Sequence, residues 1–148
     1  RPAARRRSLV YLLDTVVLSE LRKRRRNTHV VNWIGAVTPA DLFLSTVTVA
    51  EIELGIERQR AIDPAFAAEL ARWLDITLRT YGERILPLTV AIARRWGRLS
   101  AQTGNRELDL AIAATALEHG LTVVTRNVSH FAATGVTILN PFEPAPLR

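Results

Sequence analysis

The stretch Leu9-Val10-Tyr11-Leu12-Leu13-Asp14-Thr15-Val16-Val17-Leu18-Ser19-Glu20-Leu21 contains a change of period that decides the class of fold. Leu9 to Leu13 is a short apolar run of branched and aromatic side chains, as in a strand buried on both faces, and it stops at Asp14. Thr15 is placed to cap a helix, in which Val17, Leu18 and Leu21 return at helical spacing and give way to Arg22-Lys23-Arg24-Arg25-Arg26. A strand that ends in an acid and turns at once into a helix opens a β-α unit with a polar group at the carboxyl edge of a sheet.

The same alternation recurs along the chain. His29 to Ala36 predicts a second helix, stopped by Thr38-Pro39. Leu42 to Thr46 predicts a strand, followed by a helix from Thr48 that carries Glu51 near its start. Pro64 opens a helix to Tyr81, in which Phe66, Leu70, Trp73, Leu74 and Leu78 recur at three- and four-residue steps as a core stripe. Ile85 to Leu88 reads as a short strand, Thr89 to Gln102 as a helix stopped by Gly104, and Leu108 to His119 as an Ala-rich helix stopped by Gly120. Leu121 to Thr125 and Val136 to Leu139 complete the strands, with Arg126 to Gly135 read as loop and turn. This order predicts one α/β domain with a mainly parallel central sheet flanked by helices. Residues 1–8 read as a basic extension, 9–141 as the domain and 142–148 as a Pro-rich tail.

Composition narrows the chemistry. The 148 residues fit one domain, and no apolar run approaches the roughly 20 residues of a membrane span. The N-terminal run lacks the apolar segment of a secretory signal, so a cytoplasmic protein is expected, with no membrane partner. Without cysteine, disulfides and thiolate metal sites are excluded, and a metal must be held by oxygen or imidazole. The net charge of +6 resides largely in two clusters, Arg1 with Arg5 to Arg7, and Arg22 to Arg26. Such clusters are solvated faces unless an active site beside them gives a polyanion reason to bind.

Ligands of open parallel sheets gather at the carboxyl ends of the strands, and Asp14, Glu51 and Asp109 fall there or on the helix that comes next. Each acid alone has a plain structural reading, as a helix cap or a first-turn acid complementing the helix dipole. Together they are three convergent carboxylates without three evident basic partners. A hard divalent cation, Mg²⁺ or Mn²⁺, resolves that repulsion with oxygen ligands and retained waters. A dinucleotide site is excluded because Asp14-Thr15-Val16-Val17 holds no glycine. A phosphoaspartyl phosphatase would need a second Asp where Val16 stands, and a response-regulator receiver a late-strand lysine, whereas the only lysine is Lys23.

The motifs also resemble a family. Tyr11 to Leu21 is similar to the "DTNVLSEL" opening of VapC and FitB-like PIN proteins, with Val16 where Asn is common. Thr48-Val49-Ala50-Glu51-Ile52-Glu53-Leu54-Gly55-Ile56 resembles their second motif. Asp109-Leu110-Ala111-Ile112-Ala113-Ala114-Thr115-Ala116 and Gly120-Leu121-Thr122-Val123-Val124-Thr125-Arg126-Asn127 resemble the third and fourth. The resemblance, spanning Leu9 to about Pro141, implies a PIN fold, a Mg²⁺- or Mn²⁺-dependent endoribonuclease, a homodimer, and a VapB-like antitoxin that inhibits it.

It further implies Asp14, Glu51 and Asp109 as catalytic and metal-site acids, with Thr15 and Asn127 as polar neighbours toward substrate. Arg22, Arg24, Arg25 and Arg26 are the expected guide for RNA phosphates. Glu20 matches the opening motif too, and reads equally as an ion-pair residue. Two departures stand out. The pattern TRNxxDF is here Thr125-Arg126-Asn127-Val128-Ser129-His130-Phe131, so His130 takes the place of the fourth acid, as a candidate metal ligand with one negative charge fewer. The segment from Gly104 to Asp109 is short and lacks the proline often found there. The competing expectation is a PIN-like domain with a weakened site that binds RNA or an antitoxin and cuts little.

Overall fold

The structure is a computed structural model that describes residues 9–105 and 107–144. The expected extension at 1–8 and the end of the Pro-rich tail lie outside the described residues. Five strands form one sheet in the order β3-β2-β1-β4-β5, and every neighbouring pair is parallel. They are β1 Tyr11–Leu13, β2 Leu42–Ser45, β3 Ile85–Leu86, β4 Thr122–Val124 and β5 Ile138–Leu139. The helices are α1 Thr15–Arg22, α2 Thr28–Ala36, α3 Thr46–Arg60, α4 Pro64–Tyr81, α5 Val90–Thr103, α6 Leu108–His119 and α7 Val128–Phe131. No helix among the described residues is long and apolar enough to cross a membrane.

The two-residue period of the strands divides the core. Leu12 of β1 and Val123 of β4 pack with Ile92 and Leu99 of α5 and with the alanines of α6. Leu13 and Val124, one step along, point the other way onto Val17 and Leu18 of α1, Ile52 and Ile56 of α3, and Leu74 of α4. A parallel sheet covered on both faces explains why β1 and β4 read as continuous apolar runs rather than alternating ones. Leu110 to Ala116 of α6 are all buried, and small side chains let this helix lie close to its neighbours. Truncating Leu12, which has no exposed surface, to Ala would cost about 2–5 kcal/mol.

The expected order of elements stands, with local corrections that each have a cause. The helix after β1 is capped by Asp14, not Thr15, because the Asp14 carboxylate accepts the Thr15 N–H at 2.8 Å. Helix α3 begins at Thr46, two residues before the expected Thr48, because Ser45 Oγ accepts the Val47 N–H at 3.0 Å. The segment from Arg126 to Gly135 is not only loop. It holds α7 and a 3-10 turn, anchored by fully buried Phe131. The stripe on α4 is only partly core: Leu74 is buried, whereas Phe66, Leu70 and Trp73 are half-buried and line an open groove with Thr15, Arg22 and Glu51. Gly104 and Gly120 close α5 and α6 in the left-handed conformation that favours glycine. Beyond Pro141, Phe142 packs against the α1–α4 side of the core and beneath the Arg126 guanidinium, 4.5 Å from the ring centre.

Candidate functional site

Strand β1 is central, with β2 on one side and β4 on the other, and the chain leaves toward opposite edges from this point. Such a reversal opens a crevice at the strands' carboxyl ends. Asp14 stands there, immediately after β1, with its backbone N–H bonded to Val124 O at 2.9 Å. Only 2% of Asp14 is exposed. Its Oδ1 accepts the Thr15 N–H and its Oδ2 accepts the Thr125 hydroxyl, both at 2.8 Å. The Thr125 oxygen in turn accepts the Asn127 N–H at 2.9 Å. Thr15 Oγ1 reaches the other way, donating to Glu51 Oε1 at 2.9 Å and standing 3.3 Å from Thr48 Oγ1. One threonine thus ties the end of β1 to α3, and another ties it to the end of β4.

Asp109, in the first turn of α6, is electrostatically coupled to both acids. Burial pushes the Asp14 carboxyl above its ordinary range against the pull of its Thr125 bond, and Asp109 adds to the rise. Glu51 is raised for the same reason, burial first, with the Thr15 bond opposing and Asp14 and Asp109 contributing. Among the described residues, the one basic side chain in contact with any of these three acids is the imidazole of His130, whose Nδ1 lies 2.7 Å from Asp109 Oδ2. That contact is the main cause of a raised His130 pKa. His130 is exposed over 47% of its side chain and Asp109 over 18%.

Three acids whose charges oppose one another, all offering oxygen, with Asp14 buried and Glu51 half-buried and neither paired to a base among the described residues, fit a hard divalent cation. Asp14, Glu51 and Asp109 would hold it. The Asp14 oxygens are both engaged, by the Thr15 N–H and by the Thr125 hydroxyl. The donor atoms that do fall within 4.8 Å of one another belong to Glu107, Asp109 and His130.

The remaining expected residues separate. Arg22, at the end of α1, lies over the Phe66 ring at 5.3 Å and lines the groove beside Thr15 and Glu51. Arg24, Arg25 and Arg26 are exposed on the next turn, where Arg26 Nε donates to Lys23 O. Asn127 joins the site through its backbone N–H. Glu20 is buried, binds Lys23 Nζ at 3.1 Å and accepts the Asn27 N–H at 3.2 Å, so it is the ion-pair residue that fastens the basic turn. Burial acts to raise its pKa, but these bonds outweigh it and hold the carboxyl below the ordinary range.

Sequence reasoning left Thr125 and Glu107 without roles. A polar residue closing the apolar strand Leu121 to Thr125 was a usable signal for the first. Glu107 gave none, because residues two apart on a helix face different ways. Glu107, however, is the extended N-cap of α6, with φ −64° and ψ 155°.

Comparison with known proteins shows the family. The VapC ribonuclease Y4jK of Sinorhizobium fredii is 36% identical over 145 residues, covering 90% of this chain and 99% of that one. Toxin FitB of Neisseria gonorrhoeae is 32% identical over 143 residues, covering 89% and 98%. The crystal structure of FitAcB from that organism superposes with a TM-score of 0.80 at 33% identity, covering 90% of this chain and 99% of the other. A toxin-antitoxin complex from Klebsiella pneumoniae superposes with a TM-score of 0.69 at 25% identity, covering 90% and 98%. Residues 11–135 match the PIN domain family, a span running from β1 through the three acids to the turn after His130, and the chain belongs to that family.

Proposed function

We propose that this protein is a divalent-metal-dependent endoribonuclease, using Mg²⁺ or Mn²⁺, that acts in the cytoplasm as the toxin of a VapBC-type toxin–antitoxin module. The observation that carries the proposal is the gathering of Asp14, Glu51 and Asp109 at the crevice between β2, β1 and β4, with burial raising two of them and no lysine or arginine among the described residues bridging any. The cap and the threonine bonds account for the placing of single carboxylates, but the mutual repulsion of the three is relieved only when a cation joins them.

A divalent ion there supplies charge neutralisation on a phosphodiester and a water of lowered pKa. The chain's own residues do the positioning. Thr15 and Thr125 fix both Asp14 oxygens, and Thr15 also fixes one Glu51 oxygen, so these carboxylates meet the ion already oriented. Arg22 stands nearest the acids in the groove and would take a phosphate adjoining the scissile one. Arg24, Arg25 and Arg26 are exposed and can contact phosphates along the strand without reading bases. The half-buried Phe66, Leu70 and Trp73 offer the adjoining groove to an apolar segment of a VapB-like antitoxin, which would cover Glu51 and Thr15 as it bound. A homodimer belongs to the same proposal, checked by sedimentation.

The weakened-site alternative rests on His130 alone and leaves the three-acid set untouched, so cleavage is the reading preferred. Incubating the purified chain with structured RNA tests it. Cleavage that needs Mg²⁺ or Mn²⁺ and stops with EDTA supports the proposal, whereas cleavage that persists in EDTA overturns it.

A further inference from the structure

His130 stands where the motif this chain resembles has an acid, and a further carboxylate, that of Glu107, lies close to it. Glu107, Asp109 and His130 each present a possible ligand atom within 4.8 Å of the other two. Ligands on opposite sides of a transition ion stand about 4 Å apart at metal–ligand distances of about 2.1 Å, so small rotations suffice to close the set. Glu107 and His130 are exposed and have the room to turn.

The three side chains come from two segments that the fold holds in place. Glu107 occupies the N-cap of α6, where Ser, Thr, Asp or Asn usually accepts a helix N–H, yet its carboxylate makes no capping bond. Its backbone is fixed by the bond from Glu107 N–H to Asn105 Oδ1 at 2.9 Å and from Leu110 N–H to Glu107 O at 3.0 Å. His130 is carried by α7, pinned through His130 N–H to Asn127 O at 3.0 Å and by buried Phe131. Asp109 lies against His130 at 2.7 Å and is near enough to Asp14 and Glu51 for its charge to act on both.

We infer that Glu107 supplies the carboxylate that position 130 lacks, so that Glu107, Asp109 and His130 form a second cation subsite which shares Asp109 with the strand-end acids and takes a divalent transition ion in preference to Mg²⁺. The preference comes from the imidazole, which is a better ligand for transition ions than for Mg²⁺. The inference rests on the proposed reading of Asp14, Glu51 and Asp109 as metal-holding acids.

Calorimetric titration of Mn²⁺ and, separately, Mg²⁺ into the full chain tests it without any RNA. Wild type is expected to bind Mn²⁺ more tightly than Mg²⁺. Glu107→Gln and His130→Ala should each weaken Mn²⁺ binding on the order of ten-fold, and His130→Ala should also narrow the difference between the two ions. Wild-type Mn²⁺ affinity in Glu107→Gln overturns the inference. If Asp14→Asn then still weakens binding, the strand-end acids stand as a metal site and only the second subsite fails. If Asp14→Asn changes nothing either, or wild type binds no Mn²⁺, both readings fall together.

Discussion

The two halves of the acidic crevice are built differently. Asp14 is buried, its two oxygens are both bonded, and Thr15 and Thr125 link it to α3 and β4. His130 faces solvent and Asp109 is half-buried beside it, joined through His130 Nδ1 and Asp109 Oδ2 at 2.7 Å. The buried half is held by the same strand register that forms the core, so its geometry is part of the fold. The rim is carried by the first turn of α6, whose N-cap side chain makes no capping bond, and by the four-residue α7. On the proposed reading, the interior would position the ion and the rim would choose it.

The largest effects should come from the acids themselves. Glu51→Gln and Asp109→Asn are each expected to lower RNA cleavage on the order of 10² to 10³-fold, and the double variant should be little worse than either, because the acids act as one unit. Single-turnover rates in Mn²⁺ measure this; multiplicative losses would show that the two halves work independently. Thr125→Val comes next. It leaves every candidate ligand in place but removes the donor to Asp14 Oδ2 and the acceptor of the Asn127 N–H. Cleavage and Mn²⁺ affinity should both fall about 10- to 100-fold, with Thr125→Ser restoring them. Unchanged affinity in Thr125→Val would mean that Asp14 needs no orienting.

The smallest effect expected is that of the basic turn, which lies outside both halves. Replacing Arg24, Arg25 and Arg26 with Gln should weaken RNA binding across sequences and reduce the slope of log K against log salt by about 2, roughly 0.7 for each phosphate contact on a single strand. Filter binding at several salt concentrations reads this, and an unchanged slope would make the turn a solvated face.

Legibility in the sequence divides along the same line. The alternation of strands and helices was legible because β1 and β4 are short, mainly apolar runs and α6 is a longer Ala-rich run stopped by Gly120. Asp14 and Glu51 were legible because one ends an apolar strand and the other lies on the helix beyond the next, whereas Asp109 follows α5 with no strand between and was marked only by its place in the first turn of α6; Pro64 and Tyr81 bound α4 as expected. The threonine links were not, since a hydroxyl at a strand end carries no mark of which carboxylate it will meet across the sheet. Helix α7 escaped notice because four residues hold too little of a helical period, and its stability comes from the burial of Phe131 instead. Glu107 was hidden by its spacing from Asp109, which brings the two together only because the helix has not yet begun at Glu107.

The central claim is that these carboxylates are gathered for a cation and at the expense of the metal-free fold, and Asp14→Asn tests it most directly. Asn caps a helix as well as Asp does, so the substitution removes the charge while keeping the shape. Because burial raises the folded-state pKa of Asp14, the metal-free fold binds its proton more tightly than the unfolded chain does. The penalty of the ionised carboxylate is then present at neutral pH and fades as pH falls through that raised pKa. The measurement is the melting temperature of wild type and Asp14→Asn in EDTA from neutral pH downward, alongside RNA cleavage by the same two proteins in Mn²⁺. The account predicts a variant that has lost cleavage, melts a few degrees above wild type near neutral pH and loses that advantage on acidification. Retained cleavage, or a variant that melts below wild type at neutral pH, would contradict it and leave Asp14 as a helix cap.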